Sequence, residues 1–253
     1  MKYCGSVKID SIEFFNDEVY SLKINRPKNI KIKPGQFFMI KTKNEYPLLN
    51  RPISVSGYND KSIDFGIKIV GKETKKMSSL KKGEEINIIG PLGNGFELDL
   101  NLSKVLVIGG GIGVKPLKSL VKEINNKDMK LKTILGFREK AFDKDFFKKY
   151  SDDLIVYSEK KNIEQKTGYP TDILDKELIK ENYDLVYSCG PEILMKKVKE
   201  ICKKNNIKCQ LLLEEKMACG IGACLGCTCK TDSGYKKVCA DGPMFYGKEV
   251  FNE

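Results

Sequence analysis

The chain has 253 residues, 41% hydrophobic and 31% charged, a balance that suits one large folded domain or two ordinary ones. It carries a net charge of +11 and no histidine, which removes the usual imidazole base, the Ser–His and Cys–His pairs and every His-containing zinc site. No apolar run approaches the ~18 residues of a membrane span, and the opening Met1-Lys-Tyr-Cys-Gly-Ser6 lacks an apolar signal core, so the expected location is cytoplasmic. Only Arg26, Arg51 and Arg138 are arginines, and the lysines are scattered among acids. That pattern describes a solvated surface rather than a nucleic-acid footprint, which needs a clustered stripe or an aromatic motif.

In chain order, residues 1 to about 98 read as β structure. Period-two alternation marks Val7–Ile12, Val19–Ile24, Phe37–Thr42 and Ile63–Val70, with turn signals at Asn16-Asp17, Lys33-Pro-Gly35, Tyr58-Asn-Asp60 and Lys82-Gly83. Short antiparallel strands at this spacing predict a small barrel. A short helix is expected over Thr74–Leu80. From Lys104 the rhythm changes. Val105–Ile108 is a short apolar run of the kind buried in parallel sheets. Helix then alternates with strand through Leu131–Leu135, Phe142–Tyr150, Leu154–Tyr157, a helix after Pro170, Tyr183–Ser188, a helix from Pro191 to about Lys204, and Gln210–Leu213. Such alternation predicts an open parallel α/β sheet. The expected division is a barrel over 1–100, an α/β domain over 101–213 and an appended lobe over 214–253, with the first boundary near Asp99–Ser103.

Five of the nine cysteines lie between Cys219 and Cys239. In a chain without secretory features, such crowding points to metal or catalysis rather than disulfides. Cys219, Cys224 and Cys227 form C-x4-C-x2-C, with Cys239 after an eleven-residue gap. The opening spacing is that of plant-type [2Fe–2S] sites, where four thiolates hold two irons. Four thiols also suit zinc, and visible absorption distinguishes the two. The stretch from Gln210 onward has five lysines against six acids, so no strong basic patch would recruit a partner there.

Three other motifs carry chemistry. Gly109-Gly110-Gly111-Ile112-Gly113 follows a predicted buried strand and opens a helix, a place where backbone N–H groups approach phosphate; it is not a full G-x-G-x-x-G. Arg51-Pro52-Ile53-Ser54 enters a strand, and a guanidinium there suits a pyrophosphate through paired hydrogen bonds. Read alone, it is better taken as an ordinary strand entry with a surface Arg. Cys189-Gly190-Pro191 sits at the carboxyl end of a strand, the ligand edge of an open α/β sheet; alone, Cys189 reads as a small buried residue.

In this order the motifs resemble the ferredoxin–NADP reductase superfamily: an FAD barrel with R-x-x-S, then an NAD(P) domain with a glycine turn and a late C-G-P. Together with Gly90-Pro-Leu-Gly-Asn-Gly-Phe96, Met217-Ala-Cys-Gly-Ile-Gly-Ala-Cys224 and Val238-Cys-Ala-Asp-Gly-Pro-Met-Phe245, the chain resembles the electron-transfer subunits of NAD-linked (class B) dihydroorotate dehydrogenase over essentially its whole length. The resemblance implies that Arg51 holds the FAD pyrophosphate and that Pro52, Ile53 and Ser54 line the flavin. It implies that Gly66, Ile67, Lys68, Glu73 and Thr74 touch the rest of FAD. The family usually has Gly-Thr where this chain has Glu73-Thr74, and an acid beside a pyrophosphate is unfavourable unless it points away. Gly109, Gly110, Gly111 and Gly113 with Cys189, Gly190 and Pro191 would frame NAD. Cys219, Cys224, Cys227 and Cys239 would ligate the cluster, leaving Cys229 spare. No catalytic acid or base is expected. The implied partner is an FMN-containing subunit, two copies of each, that oxidises dihydroorotate to orotate. Its electrons would reach NAD+ through [2Fe–2S] and FAD.

Two rivals remain at this stage: a reductase subunit of another flavin–iron–sulfur complex with a ferredoxin, sulfur or hydrogenase partner, and an all-Cys zinc scaffold. NAD against NADP is also open, because Gly136-Phe-Arg138-Glu139 offers both an Arg for a 2′-phosphate and an acid for a ribose hydroxyl. The resemblance favours NAD. Arg138→Ala is therefore expected to leave NADH-driven dye reduction largely intact, and a loss confined to NADPH would reverse the assignment.

Overall fold

In the computed structural model, alternating apolar residues in the N-terminal part of the chain produce strands β1 (Tyr3–Phe14), β2 (Val19–Asn25), β3 (Phe37–Thr42), β4 (Arg51–Tyr58), β5 (Ser62–Lys68) and β6 (Glu85–Leu92). The structure describes residues 1–43, 46–98, 101–127, 129–161 and 165–252. The six strands close a barrel in the order β1-β2-β5-β4-β3-β6, every pair antiparallel. Closure leaves no open edge, and the inward-facing residues become the core: Leu22, Ile24, Phe38, Ile40, Val55, Ile63, Phe65 and Ile86 are all fully buried. Phe38 and Phe65 meet edge to face at 5.6 Å. The short helix α1 (Lys72–Ser78) follows β5. Sequence pattern misses β6, because Gly90-Pro91 at its end reads as a break: proline cannot donate to a ladder.

The second part of the chain holds an open sheet. Its strands are β7 (Lys104–Gly110), β8 (Lys130–Phe137), β9 (Asp153–Ser158), β10 (Lys166–Thr167), β11 (Leu185–Cys189) and β12 (Lys208–Leu212). A two-stranded hairpin, β13 (Thr228–Thr231) and β14 (Gly234–Lys237), precedes the last strand β15 (Met244–Tyr246). The sheet order is β10-β9-β8-β7-β11-β12-β15. Neighbours are parallel except β15, which runs antiparallel to β12 and makes the sheet mixed at that edge. The helices are α2 (Val114–Asn125), α3 (Lys144–Tyr150), α4 (Leu174–Lys180) and α5 (Glu192–Lys204). On α2, Val114, Leu117, Val121 and Ile124 recur at helical spacing and are fully buried in the core with Val105, Val107 and Leu135. Among the described residues, no helix is long and apolar enough to cross a membrane.

By compactness the chain divides into two units rather than along the sequence. One contains Met1–Gly95, Glu214–Cys229 and Tyr235–Pro243. The other contains Phe96–Leu213, Lys230–Gly234 and the segment from Met244. The cysteine loop thus belongs with the barrel, and β15 with the α/β sheet. Asp99 and Leu100, at the boundary expected from sequence, lie outside the described residues.

Phe38→Ala should cost about 3–5 kcal/mol, the range for truncating a buried aromatic. Urea unfolding followed by far-UV circular dichroism reads the loss; a cost below about 1 kcal/mol would mean the barrel interior repacks around the gap.

Candidate functional site

The cysteine loop is built on backbone that only certain residues tolerate. Gly220 and Gly222 have φ of 70° and 84°, in the left-handed region where glycine carries no steric cost. Leu225, at φ 59°, does carry that cost, and Thr228 steadies it: its N–H and its hydroxyl both donate to the Leu225 carbonyl, the hydroxyl at 2.6 Å. The winding aims N–H groups at sulfur. Ile221 and Cys224 donate to Cys219 Sγ at 3.4 Å each, Gly222 to Cys239 Sγ at 3.1 Å and Cys239 to Cys227 Sγ at 3.4 Å. Hydrogen bonds of this kind favour thiolate and tune a sulfur-held metal.

Side-chain interactions couple Cys219 to Cys224 and Cys227 to Cys239. Among the described residues, no group of three or more His, Cys, Asp or Glu is gathered closely enough to hold a metal ion. The Ile221 N–H lowers the Cys219 thiol to about 6, against the opposing effect of burial and with help from the Cys224 N–H. Burial, with the hydrogen bond to Cys227, pushes Cys239 up to about 12. Cys219 is therefore ready as a thiolate at neutral pH, whereas Cys239 would give up its proton to a metal. Cys227 and Cys239 are buried and Cys224 is exposed, so the pairs differ in access to solvent. At Cys229, burial raises the thiol, with the Glu215 and Cys227 charges adding to the effect.

The loop is seated on the barrel. A Cβ at Gly220 would lie 2.5 Å from Met39 Cγ and 3.2 Å from Leu92 Cδ1. The segment carrying Cys239 is clamped by the turn after β6: the Asn94 N–H donates to the Gly242 carbonyl at 2.6 Å, and its side-chain amide to the Asp241 carbonyl at 3.1 Å. Asp241 in turn accepts from the Lys237 N–H at 2.6 Å. Sequence reasoning gave no role to Met39, Asn94 or Asp241. Asn94 lies in Gly90-Pro-Leu-Gly-Asn-Gly-Phe96, but nothing local says that its partners are more than a hundred residues away.

Met39 pairs across the β3–β4 ladder with Pro52, and Ile40 with Arg51, so the cysteine loop rests beside the Arg51–Ser54 segment. Those four residues are all half-buried, whereas the next two, Val55 and Ser56, are buried. A strand opening that leaves proline, isoleucine and an arginine partly uncovered on a closed barrel suits a flat aromatic ligand with phosphates. Arg51 Nη1 donates to the Leu49 carbonyl at 2.7 Å, which fixes the guanidinium at the head of β4. Gly66, Ile67 and Lys68 lie on the neighbouring β5. The Ile67 side chain is in the barrel core, so only its backbone is open to a ligand. Lys68 is exposed and pairs with Glu18 at 3.3 Å. Glu73 turns inward: it is 1% exposed and its Oε1 accepts from the Thr42 N–H at 2.6 Å. The Thr74 hydroxyl accepts from the Val70 and Gly71 N–H groups, closing the start of α1. Lys76 ties α1 to the Tyr46 carbonyl, in the loop that leads to Arg51.

In the α/β unit the two dinucleotide motifs meet. Gly109 and Cys189 are ladder partners at the carboxyl ends of β7 and β11. The chain leaves β7 for β8 on one side and later places β11 on the other, which makes this end the switch point where open α/β sheets bind ligands. A Cβ on Gly113 would fall 2.6 Å from the Gly190 backbone, and one on Gly190 would fall 3.0 Å from Gly110 N. The absent side chains leave a cradle at the start of α2. Pro191 caps α5, accepting from the Leu194 and Met195 N–H groups. Arg138 and Glu139 follow β8 and are exposed; Glu139 is ion-paired with Lys160, which lowers its carboxyl below the usual range.

Residues 8–96 match the oxidoreductase FAD-binding domain family, and residues 214–251 match the iron–sulfur cluster binding domain of dihydroorotate dehydrogenase B. The chain is 42% identical over 97% of its length to the dihydroorotate dehydrogenase B (NAD(+)) electron transfer subunit of Clostridium perfringens, covering 96% of that protein. It is also 42% identical to the one from Caldanaerobacter subterraneus, with 99% of each chain covered. Among solved structures, an NADH-dependent reduced ferredoxin–NADP oxidoreductase described for flavin-based electron bifurcation superposes with TM-score 0.88 at 28% identity, covering 96% of this chain and 89% of that one. A ferredoxin NADP+ reductase from Neisseria gonorrhoeae shares the fold, with TM-score 0.65 at 15% identity over 79% of this chain and 91% of that one. Barrel, open sheet and thiolate loop together define a flavin oxidoreductase of ferredoxin-reductase fold with an added iron–sulfur segment. Within that class, the chain belongs to the family of dihydroorotate dehydrogenase B (NAD(+)) electron transfer subunits.

Cys224→Ser should abolish or greatly weaken [2Fe–2S] absorption while leaving NADH-to-dye activity through the flavin, whereas Cys229→Ser should keep the cluster spectrum. Bleaching by Cys229→Ser instead would mean that the ligand set includes Cys229.

Proposed function

We propose that this chain carries electrons from a partner subunit that oxidises dihydroorotate to NAD+, in pyrimidine biosynthesis. The observation that carries the reading is the seating of the cysteine loop on Met39, the ladder partner of Pro52, beside the Arg51–Ser54 segment. The names of relatives sharing about two-fifths of the sequence over nearly the whole chain support the substrate and NAD+. The partner is proposed to be an FMN-containing catalytic subunit, with two copies of each chain, working in the cytoplasm. Residues 1–100 would serve FAD, 101–213 NAD, and 214–253 the cluster.

A bound flavin exchanges hydride with nicotinamide and single electrons with an iron–sulfur cluster, so it joins two chemistries that cannot meet directly. The chain's own residues bind and orient. The Arg51 guanidinium would pair with the pyrophosphate, which two parallel N–H bonds hold better than a lysine would. Pro52 and Ile53 would pack against the ring system, and the Ser54 hydroxyl would hydrogen-bond at its edge. With Glu73 turned inward and bonded to Thr42, its charge is withdrawn from the phosphate-binding face. Thr74 would act through its backbone and through the shape it gives to the start of α1, since its hydroxyl is engaged there. Backbone N–H groups of Gly111–Gly113 at the start of α2 would hold the dinucleotide phosphates, and Cys189-Gly190-Pro191 would wall the nicotinamide end. Cys219 and Cys224 would hold one iron, Cys227 and Cys239 the other. None of these roles asks a side chain to move a proton, in keeping with a chain that has no histidine.

A second reading, a reductase subunit with a ferredoxin-type partner, is favoured by the 0.88 TM-score to the NADH-dependent reduced ferredoxin–NADP oxidoreductase. Co-purification of the tagged chain from its native cells, followed by dihydroorotate-dependent NAD+ reduction, separates the two. Orotate and NADH formed in equal amounts are expected. A co-purified complex that reduces NAD+ only with reduced ferredoxin would overturn the first reading in favour of the second.

A further inference from the structure

The α/β unit contains a second thiol site that none of the roles above uses. The end of α5, the start of β12 and the segment Tyr246–Asn252 enclose a cavity of about 580 Å3, lined by Cys202 and Cys209 together with Lys199, Lys203, Lys208 and Lys248. Asp232 is the acid on this wall. Both cysteines are free thiols and nearly inaccessible, at 1% and 5% exposure. The chain returns on itself between them: the Ile207 N–H donates to the Cys202 carbonyl at 2.9 Å, so β12 starts alongside the end of α5. Cys202 and Cys209 thus line the same cavity, near enough for the two thiols to interact. Gly247 lies against the acceptor sulfur, where an added Cβ would sit 2.4 Å from Cys209 Sγ.

We propose that Cys202 and Cys209 are a hydroperoxide-reactive thiol pair, a modification site separate from the cysteine ligands of the cluster loop.

The roles of the two sulfurs follow from their surroundings. The Cys202 hydrogen bond lowers the Cys209 thiol, burial opposes it, and the Gly247 N–H and the Lys199 charge add to the lowering. The same thiol–thiol bond, with burial, raises Cys202, which keeps its proton. A thiol whose pKa is lowered in a lysine-lined cavity has the environment of a reactive cysteine, whereas a thiol buried among apolar groups is inert. Cys209, on losing its thiol proton to solvent, attacks the terminal oxygen of the hydroperoxide. An S–O bond forms, the O–O bond breaks, and the alkoxide or hydroxide leaves and takes a proton from solvent, giving Cys209 sulfenic acid. Cys202 sulfur then attacks Cys209 sulfur; the S–S bond forms, the S–O bond breaks, and hydroxide leaves with the Cys202 proton as water. Overall two thiols lose two electrons and two protons, and the hydroperoxide is reduced to an alcohol, or water, plus water. The cross-link would pin the far end of α5, whose first turn follows Cys189-Gly190-Pro191.

The test uses the full chain with flavin and cluster bound. Hydrogen peroxide is added in steps and the thiols are mapped by non-reducing trypsin digestion. Lys203, Lys204 and Lys208 lie between the two cysteines, so a Cys202–Cys209 bond joins two peptides. The linked pair should accumulate before the exposed Cys4 thiol in the same sample is modified. In Cys202→Ser, Cys209 should be trapped by dimedone as the sulfenic acid, and Cys209→Ser should give no linked product. Modification of Cys4 while Cys202 and Cys209 stay reduced overturns the proposal, as does a Cys202→Ser chain with normal flavin absorbance in which Cys209 takes no dimedone.

Discussion

The contact that organises this molecule is the one Gly220 makes with the barrel. Its backbone comes so near Met39 and Leu92 that any side chain there would overlap them. With φ at 70°, the same residue starts the winding that points N–H groups at Cys219 and Cys239. One glycine thus sets both the distance of the thiolate loop from β3 and the electrostatic surroundings of its sulfurs. Because Met39 pairs with Pro52 in the ladder, seating the loop on Met39 also sets its place beside the Arg51–Ser54 segment. The closeness of the loop to that segment is enforced by the packing of Gly220 on Met39.

The discontinuity of the chain follows from that constraint. After β12 the backbone leaves the α/β sheet, contributes Glu214–Cys229 and Tyr235–Pro243 to the barrel unit, and returns to add β15 to the sheet edge. A loop on a free end would sample many positions; one whose two ends run into paired strands of a single sheet, β12 and β15, samples fewer. Asn94 secures the return limb through the Gly242 and Asp241 carbonyls, so the loop bearing Cys239 is held by hydrogen bonds that do not involve its sulfur. Preorganisation of this kind reduces the ordering cost of assembling a metal site.

Much was legible in the sequence because the signals are local. Period-two alternation identified most barrel strands, and apolar runs between helical stretches identified the open sheet, since burial on one face or on both writes directly into residue order. The cysteine spacing, the glycine turn and Cys189-Gly-Pro191 were readable for the same reason. What escaped notice depends on partners far along the chain. Strand β6 hides behind Gly90-Pro91, and β15 is three residues long and is a strand only because β12 offers it an edge. Glu73 shows the limit from the other side. Its charge was visible as a departure at a phosphate-facing position, but only the fold reveals that it turns inward to Thr42.

The sequence by itself determined the chemistry: four thiols at ferredoxin spacing, no histidine, a guanidinium before a strand, and glycines where phosphate must approach backbone. These are properties of residue type and short spacing, so no fold is needed to read them. The tertiary structure alone decided that the cysteine loop belongs to the barrel. It also decided that Gly113 packs on Gly190, and that Cys202 and Cys209, seven positions apart with no motif around them, line one cavity. Those outcomes depend on close approach between distant segments, and close approach is set by packing, which no local pattern encodes.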